Sequence, residues 1–388
     1  MKSNKCSRAA VIDLFAGVGG LGLGAYATGG ELRLSVELDP VACSTLNANQ
    51  TADARVLQAD ITDVSGAQLR KEARLSARDP LIVVGGAPCQ PFSKAAYWTE
   101  SGEDAAFRRA RASGITGIAR PAAPTVPRAD SRRSLVEHFA RLVIEAKADG
   151  FVFENVAAIM HPRNRPMLDG LVHELAAAGH QITVVKANAS AYGVPQRRER
   201  VFVLGSKATT PTPPAATHRT TSDKPQRAEA HLEPLASAGE ALASFRSKRY
   251  FEAEEVISGR WAEHLRTVPP GWNYKAHTAW GGHPHPTFVT ETRFWNFLLK
   301  LHPDLPSWTI AASPGPWTGP FHWTSRRLRT PELAALQGFP SDFQWLGSRR
   351  ERVRQIGNAV PPLVAAHMTE AVLATFEGRR RNNLRAAS

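Results

Sequence analysis

Apolar residues in the first half of the chain gather in short runs that are bounded by Gly, Pro or Asp. The runs lie at Ala10–Phe15, Leu32–Val36, Leu81–Val84, Phe151–Phe153, Ile182–Lys186 and Val201–Leu204. Runs that stay apolar, instead of alternating with polar residues, are typical of strands buried on both faces of a parallel sheet. The pattern therefore predicts six buried parallel strands.

Between these runs, apolar residues recur with a helical period. One stripe consists of Leu135, Phe139, Leu142, Val143 and Ala146, and another of Leu168, Leu171, Val172 and Leu175. Ser131 or Ser134 is a suitable N-cap for the first helix, and Gly179 is a suitable stop for the second. This alternation predicts an α/β fold with a doubly wound, mostly parallel sheet, whose sites lie at the carboxyl ends of the strands.

Two segments interrupt the alternation. Lys94–Arg133 has little apolar periodicity and contains seven arginines. A loop of this length inside a compact domain is usually functional or disordered. Thr209–Gln226 is rich in Pro, Thr and Ser, which is typical of a linker without a core of its own.

The region after the linker is rich in tryptophan. Seven of the nine tryptophans fall within residues 261–323, namely Trp261, Trp272, Trp280, Trp295, Trp308, Trp317 and Trp323. Gly, Pro and His are interleaved with them, so we expect a second, smaller, irregular and β-leaning domain. Its aromatic residues form a small core in the simplest interpretation, although some could stack on nucleic-acid bases.

Helical patterns return near the C-terminus. Thr330-Pro331 is typical of a helix start, with Gly338 as its end, and Pro361-Pro362 opens a final helix through Phe376. We therefore divide the chain into three parts. They are a first domain over residues 1–205, a small domain over residues 206–345 with a linker-like stretch at 209–226, and a C-terminal segment over residues 346–388 that returns to the first domain.

Composition narrows the possible partners. The 388 residues are 43% hydrophobic and carry a formal net charge of +13. Such a charge favours a polyanionic partner, nucleic acid before a membrane, although a merely basic surface is the alternative. No apolar run approaches the roughly 20 residues of a membrane span, and the first residues lack an apolar signal segment. Cys6, Cys43 and Cys89 form neither a disulfide framework nor a zinc pair, so we expect a cytosolic protein without a metal.

The stretch DLFAGVGGLGLG, Asp13 to Gly24, follows the first predicted strand. It contains G-x-G-x-x-G at Gly17, Gly19 and Gly22, and the acid Glu37 ends the next strand. This spacing is compatible with a dinucleotide site, in which the acid binds a ribose. Another nucleoside ligand is equally compatible with it.

Cys89 lies in GGAPCQPFS, just beyond a strand and at the start of the Arg-rich loop. A lone cysteine is usually a small buried apolar residue. An electropositive, partly exposed position, however, lowers a thiol pKa and makes the sulfur nucleophilic. Cys89 is therefore a candidate nucleophile.

Glu154 ends another predicted strand in FENV, and QRRER precedes the strand Val201–Leu204. Alternation places Arg198 and Arg200 on one side of that strand. A thiol, a carboxyl group and two arginines at neighbouring strand ends suit addition to an electron-poor heteroaromatic ring, with the carboxyl group bound to a ring nitrogen. A helix N-cap for Glu154 and a solvated charged edge for QRRER are the structural alternatives.

These motifs resemble those of the DNA (cytosine-5) methyltransferases. DLFAGVGGLGLG, VELDP, Asp60-Ile61, GGAPCQPFS, FENV, YGVPQRRERVF, RRLRTPELAALQGFP and QIGNAVPP occur in the order found in that family. Any one could be chance, but PCQ, ENV, QRRER and GNAVPP together are specific. The resemblance covers nearly the whole chain and implies the fold of S-adenosylmethionine-dependent methyltransferases.

The resemblance implies a covalent mechanism. Cys89 attacks C6 of a cytosine, Glu154 contacts N3 and the exocyclic amine, and Arg198 and Arg200 help to bind the base. C5 then takes the methyl group of S-adenosylmethionine, and loss of the C5 proton with elimination frees Cys89. The implied cofactor-binding residues are Phe15, Gly17, Gly19, Glu37, Asp60, Ile61, Pro88 and Asn358.

The resemblance also implies a double-stranded DNA substrate whose target base is flipped out of the helix. Lys94–Arg133 corresponds to a mobile catalytic loop, and the small domain corresponds to a target-recognition region. The expected substrate-binding residues are Gln90, Ser93, Gln196, Arg109 and Arg132. We expect a bacterial restriction–modification enzyme, monomeric and cytoplasmic, which acts on nucleoid DNA and has a restriction endonuclease as a possible partner.

Three other functions remain as alternatives. The glycine loop alone would allow an oxidoreductase, but that leaves Cys89, Glu154 and the arginine pair unexplained. A tRNA cytosine-5 methyltransferase of the same fold is disfavoured because the chain lacks a Cys-Phe-Thr triplet. A catalytically inactive DNA-binding regulator would not need Cys89 and Glu154.

The chain departs from the family pattern at two positions. One is Arg329 in RRLRTPE, and the other is Leu38, where an aromatic residue often covers the adenine.

Overall fold

The computed structural model describes residues 9–51, 53–88, 117, 119, 130–220, 231–278, 281–287 and 295–386. Its strands are β1 (Ala10–Leu14), β2 (Glu31–Glu37), β3 (Arg55–Gln58), β4 (Leu81–Gly86), β5 (Gly150–Val156), β6 (Gln181–Asn188), β7 (Gln196–Arg197), β8 (Glu199–Ser206) and β9 (Ser307–Trp308). Seven of them form one sheet in the order β3-β2-β1-β4-β5-β8-β6, and β7 pairs with β9. The predicted doubly wound α/β sheet is confirmed.

The sheet is parallel except for one strand. Strands β1 to β5 pair in parallel, whereas β8 is antiparallel to both β5 and β6. The prediction that Val201–Leu204 is a parallel strand was therefore wrong. Only residues 189–198 separate β6 from β8, and a parallel pair would need a longer crossover connection. Strand β3 was not predicted, because it lies at the edge of the sheet and its ends, Arg55 and Gln58, are exposed.

The helices in the described residues pack on both faces of the sheet and beyond its edge. They are α1 (Gly20–Ala27), α2 (Pro40–Asn49), α3 (Gly66–Glu72), α4 (Leu135–Glu145), α5 (Arg165–Ala177), α6 (Ala238–Leu242), α7 (Ala262–Thr267), α8 (Thr330–Leu336), α9 (Arg349–Asn358) and α10 (Pro362–Ala386). Phe139 of α4 and Leu171 of α5 pack on one face, and Leu21 of α1 and Met368 of α10 on the other. Both predicted stripes are thus helical, and Gly179, with φ of 92°, follows α5 as expected.

Ser134, one of the two predicted caps, is the N-cap residue of α4, but its side chain makes no capping hydrogen bond there. A 3₁₀ turn, Ser131–Ser134, precedes α4, and the Asp130 side chain caps that turn through the Arg132 N–H. The N-cap of α8 is Arg329, one residue before the predicted Thr330. Helix α10 continues to Ala386, well past the predicted end at Phe376.

Helix α9 was not predicted, although its start carries a recognisable signal. Ser348 accepts a hydrogen bond from the Glu351 N–H, and the Glu351 carboxylate accepts one from the Ser348 N–H. This is a capping box. The stretch Arg349–Phe376 is long and apolar enough to cross a membrane by length and composition alone, but half of its most apolar window is buried in the fold, and the stretch is divided between α9 and α10.

The second half of the chain forms two further cores. Leu301, Leu328, Leu333, Val353 and Ile356 belong to a cluster that joins α8 and α9. A smaller cluster contains Leu265, Val268, Tyr274, Leu298 and Phe321, with Trp261 and Trp317 packed against it. The predicted small aromatic core is therefore present. Among the described residues of 206–345, the regular elements are mostly short helical turns, and β9 is the strand.

The described part of the predicted linker lies along β6. Thr183 donates a hydrogen bond to the Pro211 carbonyl at 2.7 Å, and Tyr192 donates one to the Pro214 carbonyl at 3.1 Å. Strand β6 is the last strand of the sheet. The Pro-rich segment thus covers an edge that would otherwise offer free backbone groups to another chain.

Arg329, a departure from the family pattern, is buried in an ion-pair network. Its guanidinium pairs with the Glu255 carboxylate and donates to the Phe245 carbonyl at 2.7 Å. Arg326 pairs with Glu332 at 2.6 Å. Removing one partner of a buried ion pair is costly, because it leaves the other charge buried without compensation. This network therefore fixes residues 245–255 against the start of α8.

Candidate active site

A cavity of about 800 Å³ opens at the carboxyl ends of β1, β2, β4 and β5. Ligands of doubly wound α/β proteins bind at this edge of the sheet. The predicted site residues that line the cavity are Phe15, Gly17, Glu37, Asp60, Ile61, Pro88, Arg132, Glu154, Arg198, Arg200 and Asn358. The fold therefore brings residues from distant parts of the chain to one place.

The segment after β1 shapes one end of the cavity. Its backbone enters the left-handed region, with φ of 54° at Phe15 and 56° at Gly17. This conformation is strained for a non-glycine residue such as Phe15, and residues with such strain are concentrated at binding sites. Gly19, with φ of 84°, is the N-cap of α1 and is not among the residues that line the cavity.

Glu37 connects this segment to the end of β2. Its Oε2 accepts a hydrogen bond from the Gly17 N–H at 2.8 Å, and its Oε1 accepts from the N–H groups of Leu38 and Asp39, both at 2.9 Å. A carboxylate can accept about four hydrogen bonds. Glu37 is thus fixed by three backbone groups and retains capacity for a further donor, such as a hydroxyl group.

Asp60 follows β3 on the same side of the cavity. Its Oδ1 accepts hydrogen bonds from the Thr62 N–H at 2.9 Å and the Thr62 hydroxyl at 2.8 Å. These bonds hold the pKa of Asp60 below its ordinary value. Asp60 is therefore a carboxylate near neutral pH and can accept a hydrogen bond from an amine.

Glu154 lies near the carboxyl end of β5 and lines the same cavity. The Arg200 Nε lies 2.9 Å from the Glu154 Oε1. Burial raises the pKa of Glu154, and the charges of Arg200 and Arg198 oppose that rise. A carboxyl group in this position can retain a proton above its usual pH range and donate it to a ligand.

Arg198 is 2% exposed and lines the same cavity. Its Nη2 donates a hydrogen bond to the Gly357 carbonyl at 2.9 Å, and its backbone N–H donates to the Asn188 side chain at 3.1 Å. Gly357 precedes Asn358, which ends α9. One arginine therefore connects the strand that carries Arg200 to the C-terminal segment.

The C-terminal segment also packs closely on the glycine loop. A Cβ atom on Gly20 would lie 2.1 Å from the Val360 carbonyl oxygen. Only glycine permits such an approach of two backbones. The close contact holds the segment that carries Asn358 at the cavity, which Phe15 and Glu37 also line.

The structure adds residues that local sequence patterns did not reveal. Arg354 and Asp39 both line the cavity, and their side chains lie 2.5 Å apart. Asp39 also caps α2 by accepting hydrogen bonds from Val41 and Ala42. The sequence Asp39-Pro40 indicates a helix start, but it does not indicate the ion pair, because Arg354 lies 315 residues from Asp39.

Asp13 is a second such residue. It is fully buried, and its Oδ2 accepts a hydrogen bond from the Gly22 N–H at 2.9 Å. Burial raises the pKa of Asp13 to about 8, and the nearby Glu37 charge adds to the effect. Its Oδ1 has no hydrogen-bond partner among the described residues. The folded protein therefore favours a protonated Asp13.

We expect Asp13→Asn to remove a pH-dependent loss of stability. The Asp13 pKa is about 8 in the folded chain against an ordinary value of 3.8. The stability associated with the folded-state proton is fully present below the lower value and is lost as pH rises through the higher one, by at most about 1.4 kcal/mol per pH unit. In urea unfolding at several pH values, the free energy of unfolding of the variant should rise relative to that of the wild type as the pH increases between these limits.

The exposed Asp63 provides the matched control, because Asp63→Asn should leave the wild-type profile unchanged in shape. If the Asp13→Asn profile stays parallel to that of the wild type from mildly acidic to mildly alkaline pH, Asp13 is not protonated in the folded protein.

The described residues do not include the predicted nucleophile. Cys89, Gln90, Ser93 and Arg109 lie outside the described residues, and Pro88 is the last described residue before them. Arg132 lines the cavity and pairs with Asp130 at 2.7 Å. Among the described residues, no group of three or more His, Cys, Asp and Glu side chains could hold a metal ion.

Gln196, expected to contact the substrate, is instead fully buried. Its Nε2 donates hydrogen bonds to the Gln337 Oε1 at 2.7 Å and the Leu336 carbonyl at 3.1 Å, and its Oε1 accepts one from the Ile310 N–H. The side chain therefore has no atom available for DNA. The sequence could not reveal this, because the partner Gln337 lies 141 residues further along the chain.

Comparisons with known proteins agree with the geometry. A family model described as C-5 cytosine-specific DNA methylase matches residues 9–109 and 127–374. The chain is 36% identical to the type II methyltransferase M.SacI of Streptomyces achromogenes, over 90% of this chain and 89% of that protein. It is 31% identical to the type II methyltransferase M1.HphI of Haemophilus parahaemolyticus, over 95% and 87%.

Solved structures share the fold at lower identity. The methyltransferase EhMeth of Entamoeba histolytica aligns with a TM-score of 0.59 and 14% identity, over 95% of this chain and 99% of that one. The S. pombe Dnmt2 methyltransferase aligns with a TM-score of 0.55 and 14% identity, over 95% and 99%. At this identity the likeness shows the fold alone.

Proposed function

The chain belongs to the C-5 cytosine-specific DNA methylase family, and from that premise we propose which of its residues perform methyl transfer and in what roles. The activity predicted from sequence, transfer of a methyl group from S-adenosylmethionine to C5 of cytosine in DNA, is confirmed over the alternatives. The proposal assigns Cys89 as the nucleophile, Glu154 as the acid, and Arg198 and Arg200 as groups that bind the base.

One observation carries the proposal. The ion pair of Glu154 and Arg200 lines the same cavity as Glu37 and Asp60. Glu154 and Arg200 can bind a heteroaromatic base, and Glu37 and Asp60 can bind the ribose and the amine of an adenosine. A methyl donor and an acceptor base would therefore meet inside one cavity at the ends of β4 and β5.

The cavity fits S-adenosylmethionine. A volume of about 800 Å³ suits a ligand of that size together with a base. Glu37 can accept from a ribose hydroxyl, and Asp60 can accept from the adenine amine. The backbone of Phe15 and Gly17 leaves room for the methionine part, next to Asn358. When bound, S-adenosylmethionine supplies an electrophilic methyl group.

The chain's own residues activate the cytosine. The Cys89 thiolate adds to C6, while Glu154 donates its proton to N3 and accepts from the exocyclic amine. The electrons displaced by this addition make C5 nucleophilic, so C5 takes the methyl group. The N3 proton then returns to Glu154, a base removes the C5 proton, the C5–C6 double bond re-forms, and the Cys89 sulfur leaves as a thiolate. Arg200 holds Glu154 in orientation throughout.

Access to C6 requires the cytosine to leave the base stack, since a thiol cannot reach that carbon inside a duplex. We assign residues 1–205 and 346–388 to catalysis and cofactor binding, and residues 206–345 to target recognition. Cation–aromatic contacts on the recognition side support a DNA surface there. Arg197 lies over Trp308 and Lys275 over Trp295, with ring distances of 5.3 Å and 4.8 Å.

The relatives named above are type II methyltransferases, which suggests a biological role. We propose that this chain modifies DNA as a monomer in the bacterial cytoplasm. It would protect one sequence on nucleoid DNA from a restriction endonuclease with the same target.

Sequencing of methylated cytosines in DNA from cells that express the chain tests this role. We expect 5-methylcytosine at one position of one short sequence, and resistance of that DNA to a nuclease that cuts the sequence. Methylation scattered without a common sequence would contradict a restriction–modification role. Methylated cytosines in tRNA alone would contradict the DNA substrate.

A further inference from the structure

A buried pair of glutamine side chains connects three segments around the cavity. Gln196 and Gln337 are both fully buried. The Gln196 amide donates to Gln337 and to the Leu336 carbonyl, and the Gln337 Nε2 donates to the carbonyls of Ile356 at 2.6 Å and Ala359 at 3.2 Å. All four amide N–H groups therefore have acceptors, which fixes the orientation of both side chains.

These bonds end at the C-terminus of α9, where helices leave carbonyl groups without partners. Gln337 donates to Ile356, and Arg198 donates to the next carbonyl, that of Gly357. A positive charge is favoured at this end of a helix. Two side chains from elsewhere in the chain thus cap α9 immediately before Asn358.

The end of α9 has little freedom to move on its other side. A Cβ atom on Gly357 would lie 2.4 Å from the Cα of Ala312. The Gln196 Oε1 accepts a hydrogen bond from the Ile310 N–H in the same segment, at 3.2 Å. The α9 terminus therefore lies between residues 310–312 and the glutamine pair.

We propose that Gln337 is a positioning residue that sets the separation between Arg198, on the base side of the cavity, and Asn358, on the cofactor side. This inference rests on the proposed function, which defines those two sides. Gln337 touches neither ligand. It acts through Gln196, which is two residues from Arg198, and through Ile356, which is two residues from Asn358. Binding of the base and of the cofactor are thereby coupled.

The substitution Gln337→Met tests the proposal, because methionine keeps the volume and removes the amide. We expect the affinity for S-adenosylmethionine, measured by calorimetry without DNA, to fall about tenfold, and the KM for DNA to rise by a similar factor. The residual cofactor affinity should no longer increase when a cognate duplex is present. Val372→Ala is the matched control, since it loosens the buried face of α10 and should leave both affinities unchanged.

A double variant separates positioning from general loss of stability. Gln196→Met and Gln337→Met remove two halves of one network, so the double variant should bind cofactor within about threefold of the weaker single variant. Independent sites would instead multiply the two losses. Gln337→Asn, which keeps a shorter amide, should fall between the wild type and Gln337→Met, and it decides the matter if the methionine variant does not fold.

Cofactor affinity and DNA KM within twofold of the wild type in a folded Gln337→Met or Gln337→Asn variant would overturn the inference. So would equal losses in Val372→Ala. Failure of the proposed function is a separate result, since it would appear as a wild-type protein that transfers no methyl group to cytosine.

Discussion

Replacing Cys89 by alanine is expected to abolish methyl transfer while leaving cofactor binding intact. Alanine cannot add to C6, so C5 never becomes nucleophilic enough to take the methyl group. Loss of a nucleophile typically lowers kcat by about 10⁴-fold or more. The rate of transfer from labelled S-adenosylmethionine to cognate DNA measures the first effect, and calorimetry with the cofactor measures the second.

Cys43 supplies the matched control. It is a buried thiol on α2, and burial together with the charges of Glu37 and Asp39 raises its pKa to about 11. A thiol with that pKa contains almost no thiolate near neutral pH and is a poor nucleophile. Cys43→Ala should therefore retain most of the activity. Substantial methyl transfer by Cys89→Ala, or its loss in Cys43→Ala alone, would contradict the assignment.

Glu154→Gln is expected to lower kcat by about 10²- to 10⁴-fold. Glutamine keeps the shape and can still contact the cytosine amine, but it has no proton to give to N3. Burial raises the pKa of Glu154 in the wild type, so the required protonated form persists above the usual range of a carboxyl group. As pH rises through that pKa, the proton is lost and the wild-type rate falls.

The pH profile of kcat therefore tests whether Glu154 is the proton donor, in addition to the size of the fall in kcat. The falling limb at higher pH should be present in the wild type and absent in Glu154→Gln. Glu199→Gln is the control, because Glu199 is an exposed neighbour in the same motif that pairs with Lys186 at 3.1 Å. If Glu154→Gln keeps the falling limb, another group donates the proton.

Much of the site could be predicted because its residues terminate apolar runs. Glu37 and Glu154 each directly follow an apolar run that the pattern located, and the carboxyl ends of parallel strands meet at one edge. Their convergence on one cavity follows from topology. The position of Phe15 and Gly17 beside Glu37 follows from the neighbouring places of β1 and β2.

The remaining features depend on contacts between distant residues. Gln196 resembles an exposed polar residue in sequence, and its burial is possible because Leu336, Gln337 and Ile310 bind its amide. The raised pKa of Asp13 arises mainly from burial beneath the glycine loop, which no local pattern encodes. The antiparallel direction of β8 was recoverable, since the short connection from β6 already excludes a crossover.

Capture of the covalent intermediate tests the central claim most directly. Wild-type protein would be mixed with S-adenosylmethionine and a duplex that carries 5-fluorocytosine at the methylated position, and the product would be measured by intact mass. Fluorine cannot leave C5 as a cation, so the account predicts a stable adduct of one protein, one duplex and one methyl group, attached at Cys89. A fully active enzyme that forms no such adduct would contradict covalent catalysis by Cys89.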